Sequence, residues 1–273
     1  MIAPKLFGIL NITDDSFSDG GRHLDPASAI AAARRLAADG ADIVDLGAAA
    51  SNVAAKPVAP EEEIRRLAPV IAALQEAGIA VSVDSFAPET QRYALGAGVD
   101  FLNDIQGFPD LALYPELAAS PCGLVVMHAV QGRGRAQRDA VPAVEIWQRI
   151  EDFFAARVAA LEAAGIARDR LILDPGMGFF LGGEAAASLT VLAGLDRLKR
   201  RFGLPVLVSV SRKSFLAAVT GRRSPGELGA ATLAAELYAA AHGADFIRTH
   251  DPAALRDGLK VTAALRREEE AIG

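Results

Sequence analysis

A few kinds of polar side chain recur in this chain at one repeated place, at or just past the end of a short apolar run. They are Asn11, Asp45, Asp84, Asn103-Asp104, His128, Asp174, Ser211-Arg212-Lys213-Ser214 and Arg248-Thr249-His250. Their chemistry divides along the sequence. The acids and amides Asn11, Asp45, Asp84, Asn103-Asp104 and Asp174 come first, and their carboxylates suit paired N–H donors, as on a guanidine-like or amino-pyrimidinone edge. The cations come last, where Lys213, Arg248 and His250 suit an oxyanion held by charge-assisted hydrogen bonds, the arginine bidentately. Arg248 and His250 are two residues apart, so on a strand they share one face. A ligand with a heterocyclic end and a phosphate end fits this division, and so does a metal ion bridging acids to a phosphate. Rival motifs are missing: the sequence holds no H-E-x-x-H, C-x-x-C, G-x-x-x-x-G-K-[ST] or G-x-S-x-G. Arg133, Arg135 and Arg138 form a short basic run that reads as a solvated face.

The elements that must position these groups alternate in kind. Apolar, β-branched runs lie at Lys5–Ile12, Asp42–Leu46, Ile79–Val83, Phe101–Leu102, Leu124–Met127, Leu171–Leu173, Val206–Val210 and Phe246–Ile247. Longer Ala- and Leu-rich stretches of helical period separate them; Ile146, Ile150, Phe153, Phe154, Val158 and Leu161 draw the clearest apolar stripe, and Trp147 beside it reads as packing. Asp25-Pro26 and Asp251-Pro252 each offer a capping carboxylate with proline at the first helical position. Glu61-Glu62-Glu63 after Pro60 places negative charge where a helix dipole favours it. Eight strand–helix units in one unbroken α/β domain over residues 1–273 predict a (β/α)8 TIM barrel, whose active site sits at the C-terminal strand ends, with phosphate often held after strands seven and eight. A doubly wound sheet is the runner-up, but its G-x-G-x-x-G turn is missing: Gly8 is followed by Ile-Leu-Asn.

Composition sets the outer bounds. The 273 residues carry 28 basic and 34 acidic side chains, a net charge of −6, with 51% hydrophobic and 23% charged residues. These values suit a large core and argue against disorder and against a nucleic-acid partner. One cysteine, Cys122, excludes an internal disulfide and suits a reducing compartment. No stretch is apolar enough for a membrane span, and Lys5 inside the first apolar run followed by Asn11 argues against a signal peptide, so a cytoplasmic protein is expected.

Several segments together resemble one family, the dihydropteroate synthases. They are Asn11-Ile-Thr-Asp-Asp-Ser-Phe-Ser-Asp-Gly-Gly21, Ser82-Val-Asp84, Asn103-Asp-Ile, Val126-Met-His128, Leu173-Asp-Pro-Gly176, Ser211-Arg-Lys-Ser-Phe215 and Arg248-Thr-His250, in order along essentially the whole chain. The resemblance implies condensation of 6-hydroxymethyl-7,8-dihydropterin pyrophosphate with p-aminobenzoate, giving 7,8-dihydropteroate and pyrophosphate with Mg²⁺ as cofactor. It implies that Asp84, Asn103, Met127, Asp174 and Lys213 hold the pterin, with Asp84, Asp174, Lys213, Arg248 and His250 the catalytic set. It places Asn11, Arg248 and His250 on the pyrophosphate, with Asn11 at the metal. Ser51, Phe179, Phe180 and Ser214 match or border the p-aminobenzoate end, and Asp15 and Phe17 lie in a first loop that would close over the reacting centre. A homodimer through the barrel helices is also implied.

Two departures point to a branch within the family. Where the second loop usually reads D-I-G-G-E-S-T-R-P, this chain reads Asp45-Leu-Gly-Ala-Ala-Ala-Ser-Asn-Val53, so Asn52 takes the place of an arginine. Where G-x-G-F-G-K is usual, the chain reads Gly176-Met-Gly-Phe-Phe-Leu-Gly182, which sets Phe180-Leu181 before the glycine. Asp14 also replaces the usual proline of the first loop. The first two departures resemble the transferable sulfonamide-resistance branch and imply an enzyme insensitive to those drugs, with Phe180-Leu181 narrowing the p-aminobenzoate end. A pterin-dependent methyltransferase on the same barrel and a catalytically inactive pterin-binding homologue remain the alternatives.

Overall fold

The computed structural model describes residues 3–13, 25–49, 57–131, 142, 144–222 and 224–272. Asp14, Asp15, Phe17, Ser51, Asn52, Arg133, Arg135 and Arg138 lie outside the described residues. In chain order the elements are β1 (Lys5–Asn11), α1 (Pro26–Ala38), β2 (Ile43–Gly47), α2 (Pro60–Glu76), β3 (Ala80–Asp84), α3 (Pro88–Gly96), β4 (Phe101–Asp104), α4 (Tyr114–Ala119), β5 (Gly123–Met127), α5 (Ile146–Ala163), β6 (Leu171–Asp174), α6 (Ala185–Ala193), α7 (Asp196–Phe202), β7 (Leu207–Val208), α8 (Ser214–Thr220), α9 (Gly229–Ala241), β8 (Phe246–Thr249) and α10 (Pro252–Ile272).

All eight strands pair in parallel, in the order β6-β5-β4-β3-β2-β1-β8-β7, and a parallel bridge from Leu173 to Val206 joins the two ends into a ring. This is the closed (β/α)8 barrel that the alternation predicts, and ring closure excludes the open doubly wound sheet. β7 is shorter than the apolar run Val206–Val210. Pro205 has no N–H for the ladder and only accepts, from Leu173 N at 2.9 Å.

Helix starts follow local chemistry. Asp25 accepts from Ser28 N at 3.0 Å, and Asp251 from Ala254 N at 3.0 Å, so both acid–proline pairs act as caps. The main apolar core fills the space between sheet and helices, and the α5 stripe packs into it with Trp147. A second, smaller cluster lies inside the barrel: Phe7, Ile43, Val125, Ile172 and Leu207, with Ala80, Phe101 and Phe246 against them. Each strand supplies one member, which makes the inward face of every strand known.

Candidate active site

Alternation along a strand puts every second side chain on one face. Two residues beyond the apolar plug, the inward positions are therefore Ile9, Asp45, Ser82, Asn103, Met127, Asp174, Ser209 and Arg248; one step further on β1 to β3 come Asn11, Gly47 and Asp84. The bore thus changes from apolar to largely polar within one layer. Asp45, Ser82, Asn103, Asp174 and Ser209 are all buried. Asp45 Oδ1, Ser82 Oγ, Asn103 Oδ1 and Ser209 Oγ have no hydrogen-bond partner among the described residues. Folded proteins leave few such groups, and four in one layer mark a place built for a polar guest.

Arg248 crosses the bore. Its Nε donates to Asp45 Oδ2 at 2.5 Å and its Nη2 to Asp84 Oδ2 at 2.7 Å. Burial opposes the guanidinium charge, but the two carboxylates outweigh it and hold Arg248 above its ordinary value. Burial pushes the Asp84 carboxyl up, and Arg248 pulls against that. Gly47 lies against the same cluster: a Cβ there would make ordinary contact with Asn11 Oδ1, at 3.4 Å, and with Asp84 Cβ, at 4.0 Å.

The opposite wall carries Asp174 and Lys213. Asp174 accepts from Gly176 N at 2.8 Å, yet burial still raises its carboxyl to about 6. Burial, then the neighbouring Arg248, lowers Lys213 to about 8. The Lys213 ammonium lies 5.1 Å from the centre of the Phe180 ring, within cation–π reach. Ile105, Met127, Ala129 and Phe180 form an apolar patch beside it, with Phe86 and Phe179 packed on. Gly178, at φ +65, brings the turn Gly178–Leu181 close: a Cβ there would lie 3.4 Å from both Lys213 Cδ and Ser214 Oγ. The mouth therefore offers acid and amide acceptors, two cations and a flat apolar wall, which suits a planar heterocycle carrying N–H donors at one edge and an anionic tail.

Comparison with known proteins agrees with this chemistry. The family model described as pterin binding enzyme matches residues 7–250. The dihydropteroate synthase type-2 of Escherichia coli is 63% identical over 261 residues, covering 96% of this chain and 96% of that protein. Among solved structures, Xanthomonas albilineans dihydropteroate synthase with 4-aminobenzoic acid superposes with a TM-score of 0.87 at 37% identity, covering 97% of this chain and 93% of the other. The same enzyme in complex with 7,8-dihydropteroate gives 0.82 at 34%, with 97% and 93% covered. The chain belongs to the dihydropteroate synthases.

For a dihydropteroate synthase, the described residues bring Asn11, Asp84, Asn103, Met127, Asp174, Phe179, Phe180, Lys213, Ser214, Arg248 and His250 to the barrel mouth. Expectations change at five residues. Asp104, His128 and Thr249 occupy alternate positions and point away from the bore. Asp104 accepts from Gln106 N, Phe108 N and Gln91 Nε2, and His128 Nδ1 lies 3.1 Å from Pro175 O, where burial lowers the ring to about 4. These three are scaffold. His250 is not a cation in the free barrel: burial, with Arg212, Arg248 and Lys213 nearby, holds it well below its ordinary value, and its Nδ1 lies 2.9 Å from Ser211 Oγ. Leu181 is fully buried in the main core, so only Phe180 of the inserted pair borders the mouth. Asp45, at the end of an apolar run, is held by Arg248, 203 residues away across the bore, a pairing that the strand-end pattern does not encode.

Proposed function

We propose that this enzyme joins 6-hydroxymethyl-7,8-dihydropterin pyrophosphate to p-aminobenzoate, releasing pyrophosphate, with the chemistry at the C-terminal mouth of the barrel. The polar layer of the bore carries this reading, above all the buried atoms of Asp45, Ser82, Asn103 and Ser209 that have no partner among the described residues. The pterin edge donates to Asp174 and Asn103, and its face lies on Met127. Asp174 also stabilises the positive charge that grows on the ring as the leaving group departs. Lys213, carried beside Phe180, orients the pterin. Asp84 and Arg248 are bonded to each other in the free protein. A pterin N–H that takes the Asp84 oxygen displaces Nη2 and frees Arg248 to turn toward the pyrophosphate, where Asn11 and His250 join it as neutral hydrogen-bonding groups. Ser214 and Phe179 border the arylamine, and the apolar wall beside them excludes water that would compete with it.

Mg²⁺ fits as a guest of the substrate. No group of three or more His, Cys, Asp or Glu side chains among the described residues converges on a metal position. Magnesium commonly keeps waters and substrate phosphates with one or two protein oxygens, and the Asn11 amide at the end of β1 supplies such an oxygen. When bound, the ion neutralises charge developing on the leaving pyrophosphate.

Three further assignments belong to the same reading. Phe180 makes the enzyme insensitive to sulfonamides by filling the side of the mouth where a tetrahedral sulfonyl must sit. A second copy of the chain covers the outer faces of α6, α8 and α9, where Leu189, Val219 and Tyr238 stand exposed around an apolar groove of about 470 Å³. The protein works in the cytoplasm, which suits its free, buried Cys122; no helix among the described residues is long and apolar enough to cross a membrane. Calorimetric titration of a pterin into wild type and Asp174→Asn tests the core assignment. Binding should weaken by roughly tenfold or more, since a carboxylate oxygen facing an N–H becomes a second donor at a cost of about 1–3 kcal/mol. Equal affinity would sink it.

A further inference from the structure

Helix α2 carries a buried arginine whose place the reaction chemistry does not explain. Arg66 is 8% exposed. Its Nη1 donates to two backbone carbonyls, Ile12 O at 3.3 Å and Ala48 O at 3.2 Å. Those residues immediately follow β1 and β2, where, among the described residues, the last ladder bond between the strands runs from Ile12 N to Gly47 O at 2.8 Å. Beyond it the carbonyls need another partner, and the guanidinium is that partner. Glu62, one turn earlier, fixes the guanidinium by accepting from Nε at 2.7 Å. Glu62 is itself held by Arg65, and these hydrogen bonds from Arg65 and Arg66 lower its carboxyl to about 2.

The two carbonyls adjoin the leaving-group end of the site. Ile12 follows Asn11, and Ala48 follows Gly47, the glycine over which the Asn11 amide sits. We propose that Arg66 is a positioning residue for the pyrophosphate: by tying Ile12 O to Ala48 O it fixes the strand ends that aim the Asn11 amide into the mouth. Most of the pterin contacts, Asn103 on β4, Met127 on β5, Asp174 on β6 and Lys213 after β7, lie away from this tie, and Asp84 on β3 is the nearest of them. The proposal rests on the reading of Asn11 as a pyrophosphate-binding group.

The test uses two probes that split the substrate. Inorganic pyrophosphate with Mg²⁺ reports the leaving-group end, and 6-hydroxymethylpterin, which lacks the pyrophosphate, reports the bore. Each is titrated calorimetrically into wild type, Arg66→Met, Arg66→Lys, Asn11→Ala and the Arg66→Met/Asn11→Ala double variant. Arg66→Met should weaken pyrophosphate by about tenfold, about 1.4 kcal/mol, and leave the 6-hydroxymethylpterin affinity nearly unchanged. Arg66→Lys should recover part of the loss, and the double variant should bind little worse than Asn11→Ala. If Arg66→Met is unstable, Glu62→Ala at the exposed end of the same tie should shift pyrophosphate affinity in the same direction. A variant that melts earlier but binds both probes normally, or loses both affinities by one factor, makes Arg66 a structural staple only and overturns the proposal. Normal pyrophosphate binding by Asn11→Ala overturns instead the reading of Asn11 on which the proposal stands.

Discussion

Removing Arg248 should cost stability as well as activity, and the stability cost should depend on pH with a defined sign. Arg248 lies between Asp45, which is fully buried, and Asp84, whose side chain is 17% exposed. In Arg248→Met both carboxylates lose their counter-charge. Breaking a buried pair by removing one partner costs about 3–5 kcal/mol. At about 2 °C per kcal/mol for a chain of this size, the melting midpoint should fall by roughly 6–10 °C at pH 8. Asp84 can escape the penalty by taking up a proton. Burial already raises Asp84, and loss of Arg248 raises it further, so the folded variant binds more protons than its unfolded chain above the ordinary carboxylate range. Its stability must then fall as pH rises through that window, and the deficit against wild type must shrink on going from pH 8 to pH 5. Turnover should fall on the order of 100-fold at every pH, as for loss of a donor to the transition state. Scanning calorimetry of both proteins at the two pH values decides the matter. A deficit equal at pH 5 and pH 8, or no deficit at all, would refute the paired-carboxylate account of Arg248.

Other outcomes follow from neighbouring groups. The pH profile of kcat/KM for the pterin substrate should have an acid limb near 6, from Asp174, and an alkaline limb near 8, from Lys213; Lys213→Arg should move the alkaline limb upward, and an unmoved limb would exclude Lys213 as its source. Glu236 is buried, its Oε1 has no partner among the described residues, and burial raises it to about 8. Its folded value lies above the unfolded one, so stability falls as pH rises from about 4.5 to 8, and Glu236→Gln should flatten that slope in thermal melts. Phe180→Ala should tighten inhibition by a sulfonamide about tenfold, about 1.4 kcal/mol, while the KM for p-aminobenzoate changes far less; parallel changes would show that Phe180 shapes the pocket without discriminating. Val219→Asp should convert a dimer to monomers in sedimentation, because it places a charge at the edge of the exposed apolar groove of α6, α8 and α9.

Much of this site was legible before the fold because a TIM barrel puts chemistry where strands end. The polar residue at or just past the end of each apolar run picks out Asn11, Asp45, Asp84, Asn103, Asp174 and Arg248, all of them inward positions. The same rule over-counted at Asp104, His128 and Thr249, which sit beside true inward positions; the face of a strand only four or five residues long becomes clear once its plug residue, such as Phe101 or Val125, is placed in the bore. Leu181 was misplaced for a related reason, since a tight turn sends successive apolar side chains in opposite directions and only Phe180 stays at the mouth. The roles of Asp45 and Arg66 depend on contacts 203 and 54 residues away, and no local pattern encodes such pairings. Likewise the Glu61-Glu62-Glu63 run reads as helix-dipole charge, while the fold also gives Glu62 to Arg66 and Glu63 to Ser85 at 2.6 Å.

The central claim is that one barrel mouth binds both substrates and couples their condensation to loss of pyrophosphate. Its most direct test follows pyrophosphate and dihydropteroate together, with purified protein, the pterin pyrophosphate and Mg²⁺, in the presence and absence of p-aminobenzoate. The account predicts pyrophosphate and dihydropteroate in a one-to-one ratio, rapidly with p-aminobenzoate and at a small fraction of that rate without it. Pyrophosphate released equally fast without p-aminobenzoate, or tight pterin binding with no pyrophosphate released at all, would contradict it.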